Sequence, residues 1–85
     1  MAVNRAVAVA EVEGPGAALI VLDALDLESY YLFHAVRADL LRRLGRKNEA
    51  ATAYGAAIAR TNNVTEREFL QQRLEGLASD GDAYI

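Results

Sequence analysis

The sequence predicts an all-α domain: about five helices, paired as antiparallel hairpins in a short right-handed stack. Two observations carry this. Apolar side chains recur at three- and four-residue spacing along the chain, with no strict strand-like alternation to compete. Hydrophobic residues make up 53% of the composition, largely through alanine, which favours helix over strand. A plain helical bundle is the alternative arrangement of the same helices.

The first helix spans Val3 to Val12, with Val3, Val7 and Ala10 on one stripe and Asn4 and Arg5 turned outward. Gly14-Pro15-Gly16 ends it, and Pro15 suits a helix start because its missing N–H would lack a partner there anyway. A second helix follows from Ala17 to Leu25, with Leu19, Leu22 and Leu25 at helical spacing. Asp26 or Ser29 can cap the third, which runs to Leu44 with an apolar stripe of Phe33, Val36, Leu40 and Leu44. Arg42 and Arg43 oppose the dipole in its last turn, and Gly45 supplies a left-handed stop. The fourth helix spans Lys47 to Arg60. Thr65 and Glu68 read as the capping box of the fifth, with Val64 and Phe69 as its staple and Leu70, Leu74 and Leu77 as its stripe. Residues 1–79 form the expected domain and 80–85, opening on Asp80-Gly81-Asp82, a polar tail.

Within the third and fourth helices lies one spaced pattern: His34, Arg37, Ala38, Leu41, Gly45, Ala50, Tyr54, Ala57. It resembles a tetratricopeptide hairpin, a unit of about 34 residues that stacks with its neighbours. In that hairpin Ala38, Ala50 and Ala57 let two helices approach closely, while Leu41 and Tyr54 fill the space between them. His34 stands where an aromatic is usual, Arg37 where a leucine is, and Asn62 where a closing proline is. The first two helices then read as a shortened repeat, and the fifth as a cap with a polar outer face.

Composition limits the function. The 85 residues allow one small domain. There is no cysteine, which removes thiol chemistry and fits a reducing compartment. A net charge of −3 disfavours binding nucleic acid through bulk electrostatics. The opening lacks the features of an export signal, and no apolar run reaches the roughly 20 residues of a membrane helix. A cytoplasmic location is expected. Asn63-Val64-Thr65 matches a glycosylation sequon, which has no meaning there.

No catalytic, cofactor-binding or metal site is expected. His34 is the only histidine and reads as a hydrogen-bonded structural residue. Glu11, Glu13, Asp23, Asp26 and Glu28 sit at loops and helix ends as solvated caps. Asp80 and Asp82 lack the other ligands of a calcium loop. Ser29 and Ser79 lie in no nucleophile motif, and Gly14-Pro15-Gly16 is no phosphate loop. The polar candidate is the basic group Arg42, Arg43, Arg46 and Lys47. On the hairpin pattern, Asp39, Arg42 and Arg43 project towards a concave groove. The plainer reading pairs Asp39 with Arg42 or Arg43 along one helix face. Hairpin repeats that clamp carboxylate tails carry asparagine where this chain has Asp39, and usually a basic residue where it has Ala35, so that clamp is poorly matched.

A narrower resemblance covers Asn4 to Leu77. It rests on Asn4–Pro15, His34–Arg46, Glu49–Tyr54 and Thr65–Leu70. These stretches resemble the C-terminal, tetratricopeptide-like extension of a bacterial group of extracytoplasmic-function (ECF) sigma factors. That likeness implies a regulatory part of a transcription initiation factor, whose partners are the sigma core regions or RNA polymerase. The promoter-reading and polymerase-binding regions are absent here, so the chain is an excised domain or a free-standing relative. A separate adaptor and a small-molecule sensor are the competing functions. Val3, Val7, Val9 and Ala10 make the first helix apolar over more than one face. They are expected to form an exposed edge that pairs two copies.

Overall fold

The computed structural model describes residues 2–27 and 29–82. They form α1 (Ala2–Glu13), α2 (Pro15–Asp23), α3 (Tyr31–Arg43), α4 (Lys47–Arg60) and α5 (Val64–Asp82), and contain no strand. Glu28 and residues 83–85 of the expected tail lie outside the described residues.

Helix ends follow from local chemistry. Gly14 takes φ 96° and ψ 166°, a region open essentially to glycine alone, and turns the chain from α1 into α2. Pro15 is the first residue of α2, as its fixed φ suits. That start lies two residues ahead of the expected one, and α2 also stops two residues earlier, at Asp23. Gly45, at φ 78°, closes α3: its N–H bonds the Arg42 carbonyl at 3.0 Å, and the Arg46 N–H bonds the Leu41 carbonyl at 2.9 Å. This is the paired-bond stop that needs a left-handed residue. At the other end of α4 the Arg60 guanidinium donates to the Ala56 carbonyl at 3.0 Å.

Three local expectations are corrected. Neither Asp26 nor Ser29 caps α3; the cap position is Tyr30, extended and without a side-chain cap bond, because Ser29 falls one residue too early. The cap of α5 lies two residues earlier than Thr65 and is a single bond rather than a box: Asn63 Oδ1 accepts the Glu66 N–H at 3.0 Å, asparagine being the stronger cap, while the Asn63 N–H goes to the Thr61 hydroxyl. Val64 and Phe69 form no buried staple, being 62% and 54% exposed. The helix also continues through Asp80, Gly81 and Asp82, the first half of the expected tail.

Each helix packs on the next, and α1 also reaches α3. The result measures 37 × 30 × 17 Å, two helices thick. Its core is aliphatic and finely divided. Leu22, Leu40, Leu41 and Val3 are the largest fully buried side chains, and seven alanines join them. Ala38, Ala50 and Ala57 are completely buried and Tyr54 nearly so, which is the close α3–α4 approach expected of them. Arg37, standing where a leucine is usual, reaches back to Asp23 of α2 at 2.9 Å. An exposed ion pair thus closes the seam between the hairpins, worth about 0.2–1 kcal/mol.

The α4–α5 corner is tied by polar bonds. Thr61 is buried; its hydroxyl donates to Glu66 Oε1 at 2.9 Å and accepts the Asn63 N–H at 3.2 Å. The Arg67 guanidinium donates to the Thr61 carbonyl at 3.0 Å. The other Glu66 oxygen accepts the Tyr31 hydroxyl, so one carboxylate joins α5 to both α3 and the corner.

Candidate functional site

Three helices, α1, α3 and α5, face a common groove. One part of it holds about 270 Å³. The floor is Ala10, Ala35, Val36, Leu40, Leu70 and Tyr54, and the rim carries Val7, Asp39, Arg43, Phe69 and Arg73. A second, almost wholly apolar cavity of about 470 Å³ adjoins it between the first turns of α3 and α5, lined by Tyr31, Leu32, Ala35, Thr65, Glu66, Phe69 and Leu70. Ala35, Phe69 and Leu70 border both cavities. The groove therefore follows α3 for most of its length.

Of the predicted polar residues, Asp39 and Arg43 line this groove and Arg42 does not. Arg42 Nη2 donates to Asp39 Oδ1 at 2.6 Å. That bond, with the Asp39 charge and the Tyr54 hydroxyl, holds the Arg42 guanidinium above the usual arginine range against some burial. Arg43 lies 3.8 Å from the other Asp39 oxygen, a looser pairing that leaves its head at the rim. Asp39 thus pairs along its own helix face and also borders the cavity. Arg46 makes a two-point pair with Glu49, at 2.8 and 2.6 Å. That pair holds the Glu49 carboxyl below the usual range. His34 is half-buried and meets the Phe33 ring edge-on, with centroids 5.1 Å apart.

The expected apolar edge on α1 is corrected. Val3 and Ala10 are not exposed: they lie in the core at 0% and 5% exposure, covered by the chain's own helices. Val9 is half-buried, and Val7 is 42% exposed on the groove. Among the described residues the most exposed large apolar side chains are Val12 and Ile20, at 85% and 75%. Val3 and Ala10, with Ala6, face the chain's own helices rather than water, and Val7 turns to the open groove.

Sequence reading missed the α5 wall. Phe69 and Arg73 are four residues apart, one helical turn, and the Arg73 guanidinium sits 5.1 Å over the Phe69 ring. The spacing is visible in the sequence, where Phe69 also suits a staple with Val64. Among the described residues no three His, Cys, Asp or Glu side chains are placed to hold a metal, and no helix is long and apolar enough to cross a membrane.

The chain is 43% identical over 79 residues to an uncharacterized protein of Rhizobium meliloti (strain 1021). The match takes in 91% of this chain and 19% of the relative, so the chain spans about a fifth of the length of the curated relative it matches. No solved structure matches it. A family model described as a tetratricopeptide repeat-like domain matches residues 5–79. With its stacked hairpins, its small-residue α3–α4 contact and that match, the chain belongs to the tetratricopeptide repeat-like family.

Proposed function

We propose that the chain is the regulatory, protein-binding module of a bacterial ECF-type sigma factor, acting through the groove of α1, α3 and α5. Tetratricopeptide-like domains are protein-interaction modules, and the helices here are placed to serve as one. The observation that carries the reading is the groove itself: an open-sided apolar floor with charged residues at the rim, the plan of a surface that receives a polypeptide segment. The sigma-factor assignment rests on the resemblance over Asn4–Leu77. A relative about five times as long, of which this sequence matches one segment, is compatible with it. The partners are then the sigma core regions or RNA polymerase, with no turnover and no sequence-specific DNA binding by this chain alone.

The full-length Rhizobium meliloti relative, mixed with purified bacterial core RNA polymerase, tests this. Binding to the polymerase and promoter-dependent transcription are expected, with transcript yield altered by deleting the matching 79-residue segment. A relative that neither binds the polymerase nor directs transcription overturns the assignment. A second reading, small-molecule sensing, is favoured by the 470 Å³ apolar cavity, whose size is that of ligand pockets.

A further inference from the structure

The two halves of the groove differ in chemistry. At the Tyr31 end it is an apolar socket floored by Leu32, Ala35 and Leu70 and walled by Phe69. At the far end two cations, Arg43 and Arg73, stand over the apolar floor. The pairing of Arg43 with Asp39 is loose, and Asp39 is already engaged at short range by Arg42. Among the described residues Arg73 has no carboxylate within ion-pair distance and rests on the Phe69 ring. Both arginines are therefore held at the rim with charge to spare, beside apolar surface that water covers poorly.

Helices α3 and α5 both run from the socket towards the arginines. The socket touches residues 31, 32 and 35 of α3 and the arginine end touches 35 to 43. At about 1.5 Å per residue the two centres lie roughly 9 Å apart along α3, and nearer 5 Å along α5. One to two turns of a docked helix span that interval.

Resting on the groove reading above, we infer that the occupant is an amphipathic helix carrying a bulky apolar residue and, one to two turns further on, an aspartate or glutamate. The apolar residue enters the socket between Tyr31 and Phe69. The carboxylate meets Arg43 and Arg73. Such charge-assisted bonds at a partly dry rim supply orientation as well as affinity. A helix laid this way also points its negative C-terminal end towards the two cations.

A phage-displayed library of random 16-residue peptides, selected on the intact chain, is the probe. Enriched peptides should pair a bulky apolar residue with an acidic one at i+4 or i+7. Selection on the double variant R43Q/R73Q should keep the apolar preference and lose the acidic one. A synthetic peptide of the enriched sequence should bind that variant about tenfold more weakly than the native chain, and a version with glutamine for its acid should bind both alike. Arg5→Gln, on the exposed side of α1, serves as the control. Circular dichroism checks that every variant is folded. Acidic enrichment unchanged in R43Q/R73Q, or enrichment of basic peptides, overturns the inference while leaving the groove in place. Peptides that bind without competing at the groove, or no enrichment at all, overturn the groove reading with it.

Discussion

Gly45 shows how much one residue does here. Its positive φ lets two backbone bonds close α3, and a Cβ added there meets nothing within 4 Å. The cost of Gly45→Ala is therefore conformational, with no clash to add: about 1 kcal/mol. Urea melts of the two proteins measure it, and equal midpoints would show that the turn tolerates a side chain. Tyr31 is a second such residue. The bond it donates to Glu66, then burial, then the Glu66 charge all keep its proton on, raising its pKa above the ordinary tyrosine value of 10.0. A raised folded-state value contributes stability that is full below the unfolded pKa and lost as pH rises through the folded one. Tyr31→Phe should cost about 1 kcal/mol at neutral pH. The gap to the native protein should close above pH 10, as thermal melts across that range would show. A gap that persists unchanged in alkali would mean that the hydroxyl contributes in some other way.

At the scale of the helix pair, the α3–α4 contact is built on smallness. Ala50 is fully buried, so Ala50→Leu adds three carbons to a closed seam and should cost about 1–3 kcal/mol. A melting temperature that does not fall would place Ala50 outside the seam. This contact was readable from sequence because Ala38, Ala50, Tyr54 and Ala57 fall at fixed helical spacings, and burial followed spacing. Helix ends were less readable. Asn63 and Thr65 both precede a glutamate by three residues, and only the path of the 61–63 corner, fixed by the buried Thr61 hydroxyl, selects between them. The groove was half-readable. Asp39 and Arg43 follow from the hairpin pattern, whereas the α5 wall depends on how far α5 stands from α3, which no local spacing encodes. The α1 stripe failed for the same reason: its apolar face was evident, but which neighbour covers it is a tertiary fact.

At the scale of the molecule, the stack has two unlike sides. One is the groove, with Val7, Phe69 and the rim arginines around its apolar floor. Away from it, Ile20 is 75% exposed on α2 and lines neither cavity. An interaction through the groove must be sensitive to the first and indifferent to the second. The decisive measurement is binding of this chain to the remaining four-fifths of the Rhizobium meliloti relative, purified separately, by fluorescence anisotropy. The native chain should bind. Phe69→Asp, which puts a charge into the wall shared by both cavities, should weaken binding by about tenfold or more, and Ile20→Asp should leave it unchanged. Binding lost in Ile20→Asp and kept in Phe69→Asp, or no binding by the native chain, would contradict a groove-borne interaction.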